Sequence, residues 1–478
     1  MMNKQEYIEK QKNNQHMKEM VAKDKNRLSY HLMPPTGWLN DPNGLCQFNG
    51  IYHIYYQYSP FDTGWGTKLW GHYTTKDWIR FKSEDPFLFP DQRIDRDGVY
   101  SGSAFVHHNK IHYFYTGNVK LLDQDYDYIN EGREQNTIYF NSEDGYHISS
   151  KELLLNNNDY GINMSKHVRD PKIFEKDGVF YMVLGARTKD SIGCVLMYRS
   201  TDLKNWQYFN TITTPTPFGY MWECPDLFEI DGQLFLMVCP QGVKQIGYQY
   251  ENVYQCGYFK LDFNFTENTY TIGEFVELDH GFDIYAPQSF SDEKNRRILI
   301  GWFGIPDATY HNDVTCQYEW QHALTLPRQV TNKDGYLCFY PIEETKALRQ
   351  EGFECLIQEL NQQKIETICY EMNIQFDHNQ SFNLNIRDDV SLDYDNGLLT
   401  LTMHESGCGR NQRHIEIDNL LNMTIFSDTS ALEIYINDGR YVMSSRVYSQ
   451  SFKQVPHFNH DDLIGSIHFY PLKGYEID

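Results

Sequence analysis

Three short motifs of the chain carry a carboxylate one or two residues before a proline: WLNDPNG (38–44), HVRDP (167–171) and WECPD (222–226). The acids that precede these prolines are Asp41, Asp170 and Glu223. Two carboxyl groups on either side of a glycosidic bond are the usual apparatus for hydrolysing it, one as nucleophile or base and the other as proton donor. Taken alone, Asp-Pro-Asn-Gly is also a nearly ideal type I turn, in which Asp41 only accepts a hydrogen bond from its own turn. The elements that position the acids must decide between these interpretations.

Five segments share one pattern that predicts a β-hairpin. Each begins with a polar residue near a bend marked by Pro or Gly, continues as a short apolar strand, turns, and returns as a second β-prone run. The segments are 41–58, 101–117, 170–187, 223–240 and 283–304. Their first residues lie 53 to 69 residues apart, which leaves room for a four-stranded sheet with its loops. Antiparallel sheets repeated around an axis form a β-propeller, so the pattern predicts five blades within residues 28–341.

The innermost strand of each propeller blade lines the central channel, so equivalent residues of the five segments are expected to meet at one cavity. The segments begin at Asp41, Ser101, Asp170, Glu223 and Asp283. At least three carboxylates should then face one cavity, and chains tend to keep such mutually repelling acids at functional sites. Aromatic and amide side chains that could contact a sugar there are Trp38, Trp65, Trp70, Trp222, Trp302, Asn40 and Gln57.

The remaining segments flank the predicted propeller. Residues 1–27 are rich in Lys, Glu, Gln and Asn with apolar positions at loosely helical spacing, which predicts a helical extension packed on the outside of the fold. Residues 342–352 form a linker with helical character. Period-two runs such as CLIQEL, FNLNI, LLTLTM, IEIDN and ALEIYIND then predict a C-terminal β-sandwich over 353–478. The predicted fold class is all-β.

Charge and cysteine spacing exclude several classes of function. A formal net charge of -23 would repel nucleic-acid phosphates and anionic lipid headgroups. The 10 cysteines include no C-x-x-C pair, which does not support a zinc cluster. There is no stretch of 18 uncharged apolar residues and no signal-peptide core, so we expect a cytoplasmic protein whose partner is a small-molecule sugar. No metal or organic cofactor is expected, because carboxylates suffice for the chemistry.

The three acidic motifs, in this order, resemble those of glycoside hydrolase family 32, the invertases and fructan hydrolases. Further matching segments are YQYSP (56–60), YSGSA (100–104), YAPQSF (285–290), LTLPR (324–328) and LEIYINDG (432–439). The resemblance implies a five-bladed propeller joined to a β-sandwich. It also implies that Asp41 is the nucleophile, Glu223 the acid/base, and Asp170 the residue that stabilises the transition state.

The resemblance implies a set of substrate-binding residues as well: Trp38, Leu39, Asn40, Gln57, Trp65, Tyr100, Ser101, Arg169 and Trp302. Arg169 could contact the sugar or only pair with the neighbouring Asp170. Asp283 and Gln288 could close the propeller or bind ligand, and His53, His72 and His167 are interpreted as structural. From their sequence neighbours, Asp41 is expected to ionise before Glu223.

The substrate is less well defined by the sequence. The sequence lacks a signal peptide and contains the segment SKHVRDP. In both respects it resembles family members that hydrolyse sucrose 6-phosphate, so we expect that reaction, with sucrose as a second substrate. A fructan hydrolase, a fructosyltransferase and a non-enzymatic propeller lectin are the alternatives. Candidates for contacting the phosphate are Arg187, Lys166, Lys68 and His322. The oligomeric state cannot be deduced from the sequence.

Overall fold

The computed structural model describes residues 2–12, 14–387, 389–450, 456–460 and 462–478. β-Strands are the main element, so the predicted all-β class is confirmed at the level of secondary structure. Within these ranges, no helix is both long enough and apolar enough to cross a membrane.

Five antiparallel sheets, named sheets 1 to 5, follow one another along the first part of the chain. Sheet 1 contains β1 (Gly37–Phe48), β2 (Ile51–Ser59), β3 (Leu69–Thr75) and β4 (Arg80–Leu88). Sheet 2 contains β5 (Val99–His107), β6 (Lys110–Lys120), β7 (Arg133–Ser142) and β8 (Glu152–Leu155). Sheet 3 contains β9 (Met164–Lys176), β10 (Val179–Thr188), β11 (Gly193–Ser200) and β12 (Gln207–Ile212). Sheet 4 contains β13 (Met221–Ile230), β14 (Gln233–Gln241), β15 (Gly257–Asn264) and β16 (Thr269–Glu277).

Sheet 5 draws on a longer stretch of chain. It contains β17 (Tyr285–Ser291), β18 (Arg297–Trp302), β20 (Arg328–Lys333) and β21 (Tyr336–Pro341). The intervening strand β19 (Trp320–Gln321) pairs in parallel with β1, and the last strand, β33 (Glu476–Ile477), pairs in parallel with β4. Sheet 1 is therefore joined by backbone hydrogen bonds to segments far along the chain.

The five predicted hairpins are present as the pairs β1–β2, β5–β6, β9–β10, β13–β14 and β17–β18. Their strands are rich in aromatic and β-branched residues, as in β2, IYHIYYQYS, which suits a pleated and buried surface. Three of the hairpins turn through Asn49-Gly50, Asp177-Gly178 and Asp231-Gly232, with positive φ at both residues. These two-residue turns match the right-handed twist of the strands.

A β-bulge interrupts the first strand of each sheet at an equivalent place. The strand register shifts across five pairs of residues: Asn40-Asp41, Tyr100-Ser101, Asp170-Pro171, Cys224-Pro225 and Ala286-Pro287. Proline has no amide hydrogen to donate to the ladder and is therefore tolerated at a bulge. Bulges redirect side chains. Four of the five residues predicted at the beginnings of hairpins, Asp41, Ser101, Asp170 and Glu223, lie at or next to these bulges, and Asp283 precedes its strand.

Neighbouring sheets pack on one another through their large faces. Contacts join β1 to β5, β5 to β9, β9 to β13, β13 to β17, and β17 to β1. Trp70 and Tyr113 share an apolar cluster between sheets 1 and 2, and Ile54 and Ile300 share another between sheets 1 and 5. Burial of these faces provides the main driving force for assembling the sheets.

Two further sheets occupy the last part of the chain. Sheet 6 has the order β22 (Phe353–Leu356), β32 (Gly465–Pro471), β23 (Tyr370–Phe376), β28 (Asn422–Asp428), β29 (Ala431–Ile436) and β30 (Tyr441–Arg446). Sheet 7 has the order β27 (Gln412–Glu416), β26 (Leu398–Met403), β25 (Val390–Asp395), β24 (Phe382–Arg387) and β31 (His457–Phe458). Met372 and Ile434 of sheet 6 share one apolar core with Leu392 and Leu401 of sheet 7.

The helices are short. They are the α-helices α1 (Lys4–Lys12) and α2 (Gln15–Lys23) and the 3-10 helices Arg93–Asp95, Asp313–Tyr318, Glu343–Leu348, Ile357–Gln362 and Glu405–Gly407. The strand predicted from CLIQEL is wrong beyond Leu356. Ile357 and Leu360 are buried three residues apart, which fits the period of a 3-10 helix and not the alternation of a strand.

Candidate active site

The first strands of all five sheets contribute a side chain to one cavity of about 580 Å³. The five side chains are Asp41 from β1, Ser101 from β5, Asp170 from β9, Glu223 from β13 and Tyr285 from β17. Each of them lies at or next to the bulge of its strand. The three acids of the sequence motifs are therefore brought together although they are far apart along the chain.

Asp41 is held by hydrogen bonds to both carboxylate oxygens. Asn40 Nδ2 donates to Oδ1 at 3.0 Å, and the Ser101 hydroxyl donates to Oδ2. Both donors are themselves fixed, because Gln57 Nε2 donates to Ser101 Oγ at 2.7 Å and Trp38 Nε1 donates to Asn40 Oδ1 at 2.8 Å. The network leaves the Asp41 carboxylate little freedom to rotate.

Burial raises the pKa of Asp41, and the hydrogen bonds from Ser101 and Asn40 offset part of that increase. The nearby charge of Glu223 raises this pKa further. Sequence neighbours alone suggested an easily ionised carboxyl. They do not reveal burial, which disfavours the charged form of any acid.

Glu223 accepts hydrogen bonds from three side chains. Tyr285 Oη donates to Oε2 at 2.6 Å, Gln241 Nε2 donates to the same oxygen at 2.8 Å, and Arg169 Nε donates to Oε1 at 3.0 Å. A second guanidinium nitrogen, Nη2, also bonds to Oε1. Glu223 is thus oriented by donors from three different strands.

Arg169 pairs mainly with Glu223. Its Nε lies 3.9 Å from Asp170 Oδ2, so contact with its neighbour in sequence is weak. Burial lowers the pKa of Arg169, but the charges of Glu223 and Asp170 outweigh burial and the pKa is raised. The side chain stays a fixed positive charge between two acids.

Asp170 adopts a left-handed backbone conformation with φ of 63°. Its amide donates to Thr116 Oγ1 at 2.9 Å, and its Oδ2 accepts from the Cys224 amide at 3.0 Å. Burial raises its pKa to about 7, with Arg169 opposing and Glu223 reinforcing the increase. Sparsely populated backbone conformations and perturbed pKa values each cluster at functional sites.

The structure separates the predicted binding residues into two groups. Those that line the cavity are Asn40, Gln57, Trp65, Tyr100, Ser101, Arg169 and Trp302. Leu39 does not: its side chain is fully buried in the apolar cluster between sheets 1 and 5. The physical reason is that successive side chains of a strand point to opposite faces, so Leu39 points away from the site. Trp38 does not line the cavity either and instead supports Asn40.

The structure places Asp283 and Gln288, whose roles the sequence left open, and the three histidines that were interpreted as structural. Asp283 does not reach the cavity, because Arg410 binds both of its oxygens at 2.7 Å in a fully buried pair. Gln288 joins strands, accepting from the Leu45 amide at 3.1 Å and donating to the Gly102 carbonyl at 2.9 Å. His53 and His72 bond to each other at 3.0 Å in the interior. His167, in contrast, lines the cavity.

Several lining residues were missed by the sequence analysis. They include Asp97, Lys120, Tyr128, Arg133, Cys224, Gln241, Tyr285 and Asp307, whereas Lys68, predicted only as a phosphate contact, also lines the cavity. Tyr285 begins the segment YAPQSF and Cys224 lies within WECPD, so both stood in motifs already quoted. Arg133 has no such signal, because its neighbours along the chain are ordinary loop and strand residues.

Comparison with known families identifies the relationship. The family model for the glycosyl hydrolases family 32 N-terminal domain matches residues 31–341, and that for the family 32 C-terminal region matches residues 344–471. The chain belongs to glycoside hydrolase family 32. A relative from this family, the sucrose-6-phosphate hydrolase of Bacillus subtilis (strain 168), is 39% identical over 449 residues, covering 90% of this chain and 91% of the relative.

Solved structures from family 32 agree with the fold. The sucrose-6-phosphate hydrolase of Lactobacillus gasseri superposes with a TM-score of 0.88 and 29% identity, covering 97% of this chain and 96% of that one. A family 32 β-fructofuranosidase of Bombyx mori superposes with a TM-score of 0.83 and 27% identity, covering 98% and 99%. As a member of this family, the protein is a glycoside hydrolase of the invertase type.

Proposed function

We propose that the protein is a retaining β-fructofuranosidase that hydrolyses sucrose 6-phosphate, and also sucrose, to fructose and glucose 6-phosphate or glucose. The observation that carries the proposal is the meeting of Asp41 and Glu223 in one cavity, each held by its own hydrogen-bond donors. The phosphorylated substrate is supported by the names of the Bacillus subtilis and Lactobacillus gasseri relatives.

The reaction proceeds in two displacements. Asp41 attacks the anomeric carbon of the fructosyl group while the bond from that carbon to the glucosyl oxygen breaks, and Glu223 gives its proton to this oxygen. A covalent fructosyl-enzyme results. Glu223 then removes a proton from water, the water oxygen attacks the same carbon, and Asp41 leaves as a carboxylate.

The remaining side chains support this chemistry. Asp170 binds fructose hydroxyls and stabilises the positive charge that develops on the sugar ring. The donors Ser101 and Asn40 keep the Asp41 anion available in a buried site, since hydrogen bonds to the charged form favour it. The residues that contact the sugar are Asn40, Gln57, Trp65, Tyr100, Ser101, Arg169 and Trp302.

The proposal extends to the architecture. Sheets 1 to 5 are the blades of a closed five-bladed propeller within residues 28–341, because each packs on the next and sheet 5 packs on sheet 1. Residues 342–352 are a linker, and sheets 6 and 7 form a β-sandwich within 353–478. Residues 1–27 are a helical extension. The protein acts in the cytoplasm on a small sugar and requires neither nucleic acid nor a membrane.

The decisive experiment compares kcat/KM for sucrose 6-phosphate and for sucrose, with Asp41→Ala as the inactive reference. We expect a preference of at least tenfold for the phosphorylated sugar, which corresponds to about 1.4 kcal/mol of transition-state binding. Asp41→Ala should retain sugar binding and lose turnover.

Other outcomes would assign a different activity. Equal turnover of the two sugars would make the protein a sucrase, and a product with an added fructosyl unit would make it a transferase. Turnover of neither sugar, with binding retained, would support a fructan substrate or a lectin. Unimpaired turnover by Asp41→Ala would contradict the assigned nucleophile.

A further inference from the structure

Arg133, the first residue of β7, is a buried cation that faces the active-site cavity without an acidic partner. Arg133 is only 3% exposed, and it lines the cavity. Its Nη1 bonds with His167 Nδ1 at 3.2 Å, and its Nη2 donates to Asn118 Oδ1 at 3.3 Å and to the Tyr128 hydroxyl. In the part of the chain that the structure describes, no Asp or Glu forms an ion pair with it, and its Nε has no partner.

The neighbours of Arg133 increase its need for an anion. Arg169 Nη1 also bonds with His167 Nδ1, at 2.9 Å, so two guanidinium groups share one imidazole nitrogen. That nitrogen must be the acceptor, which makes the ring neutral with its hydrogen on Nε2. Burial lowers the pKa of His167 to about 2, and the charges of Arg169 and Arg133 act in the same direction. A buried charge without a counter-charge is unfavourable, and here only Arg169 has acids beside it.

Further polar groups line the same side of the cavity. Lys120, at the end of β6, is exposed, and Tyr128 is half exposed. Asp97 also lines the cavity, and its Oδ2 already accepts from the Lys120 amide at 2.7 Å and from Arg96 Nε at 3.2 Å. The Asp97 charge is therefore partly neutralised, and the ammonium of Lys120 forms no ion pair within the described residues.

The position of Arg133 relative to the acid/base matters for the substrate. Arg169 bonds to Glu223 with one side of its guanidinium and to His167 with the other, and His167 then bonds to Arg133. Glu223 protonates the oxygen of the leaving sugar. Arg133 is thus linked to the proposed acid/base by a continuous chain of hydrogen bonds through two other lining residues, which places it in the same cavity as the leaving sugar that Glu223 would protonate.

We propose that Arg133, with Lys120 and the Tyr128 hydroxyl, binds a phosphate monoester carried by the leaving sugar. Guanidinium groups bind phosphate through paired hydrogen bonds, and a lysine adds a point charge. This inference rests on the proposed function and names the residues that distinguish the phosphorylated substrate. It replaces Arg187 and Lys166 as candidates, since neither lines the cavity and the Arg187 guanidinium stacks on Tyr220 at 4.7 Å.

The test compares the ratio of kcat/KM for sucrose 6-phosphate to kcat/KM for sucrose in variants. In Arg133→Gln we expect this ratio to fall tenfold or more. In Lys120→Gln, an exposed position that should not affect folding, we expect a fall of at least threefold. Arg187→Gln is the matched control and should leave the ratio unchanged. Equal losses for both sugars in Arg133→Gln, or an unchanged ratio in Lys120→Gln, would overturn the proposal.

A second measurement separates this inference from the proposed substrate. Glucose 6-phosphate, glucose and inorganic phosphate are tested as inhibitors of sucrose hydrolysis by the wild-type protein and by Lys120→Gln and Arg133→Gln. Stronger inhibition by glucose 6-phosphate than by glucose, lost in the variants, supports the phosphate site even if sucrose 6-phosphate is not the preferred substrate. Equal inhibition by the two sugars in the wild type would overturn the site.

Discussion

At the scale of single residues, the buried acid Asp170 serves the proposed reaction but lowers the stability of the folded protein. Asp170 is buried beside Glu223 and Asp41, and its pKa is raised to about 7. Its folded form holds a proton that the unfolded chain releases near pH 4. Between about pH 4 and pH 7 the native state therefore binds more protons than the unfolded state, so stability must fall as pH rises through this window.

We predict that Asp170→Asn is more stable than the wild type at pH 8 although it is inactive. The expected gain in free energy of unfolding is on the order of 4 kcal/mol, because the pKa is raised by about three units and one unit corresponds to about 1.4 kcal/mol. The gain should shrink as pH falls toward 4 and vanish below the pKa of the unfolded chain, where the wild-type acid is protonated in both states. Urea unfolding at a series of pH values measures this difference.

Asp77 provides a control, because its pKa is shifted in the opposite direction to that of Asp170. Burial raises the pKa of Asp77, but hydrogen bonds from the amides of Arg80 and Ile79 outweigh burial and the pKa is lowered. A carboxylate with a lowered pKa stabilises the fold above its ordinary pKa, and this contribution is lost as pH falls. Asp77→Asn should therefore destabilise the protein at pH 8 and have less effect in acid. A loss of stability in Asp170→Asn at pH 8 would contradict the interpretation of Asp170.

At the scale of elements, the bulges of the first strands determine where catalytic side chains point. In β5 the bulge ends at Gly102, where an added Cβ atom would lie 2.1 Å from the Phe114 carbonyl oxygen and 2.5 Å from Tyr115 Cα. Only glycine allows β5 to approach β6 this closely. The preceding residue, Ser101, donates to the Asp41 carboxylate, so close approach of the strands also positions the proposed nucleophile.

We predict that Gly102→Ala destabilises the protein by about 1–3 kcal/mol, as overpacking of a close backbone contact does. It should also lower kcat/KM, because the displaced strand carries Ser101. Gly273→Ala in β16 is the matched control, since its nearest neighbour would be 3.5 Å away, an ordinary contact. Thermal unfolding and steady-state kinetics of both variants check this. Equal effects in the two variants would exclude a specific role for the bulge.

At the scale of the whole molecule, buried ion pairs join the first five sheets to the last two. Arg410, just before β27, binds Asp283 through two nitrogens, and Arg328 of β20 binds Glu433 of β29 at 2.7 Å; all four side chains are fully buried. His31 adds a bond to Glu433 at 3.0 Å. Removing one partner of a buried pair leaves an uncompensated charge in the interior.

We predict that Arg410→Leu lowers the free energy of unfolding by about 3–5 kcal/mol, the usual cost of breaking a buried pair. Lys364→Gln removes one partner of an exposed pair with Glu366 and should cause no measurable change. Urea unfolding followed by fluorescence measures both. A small effect of Arg410→Leu would mean that the Arg410–Asp283 pair adds little to the other contacts between the two parts of the chain.

The sequence by itself determined the features that depend on local spacing. Alternating β-prone runs bounded by turn residues were sufficient to predict the hairpins, three of which turn through Asn-Gly or Asp-Gly, whereas the bulges were not predicted. These are properties of a few adjacent residues, because strand formation and turn conformation are decided over short distances. The same motifs carried the family resemblance, so the enzyme class was also accessible.

Only the tertiary structure decided burial and the partners of charged groups. Arg169 binds Glu223 more closely than it binds its neighbour Asp170. Asp283 binds Arg410, a residue much later in the chain. Arg133 lines the cavity although no sequence motif surrounds it. These relations join residues that are 54 and 127 positions apart in the two ion pairs. Which side chains meet, and how far each is removed from water, depends on packing the sheets together, and no local pattern encodes that.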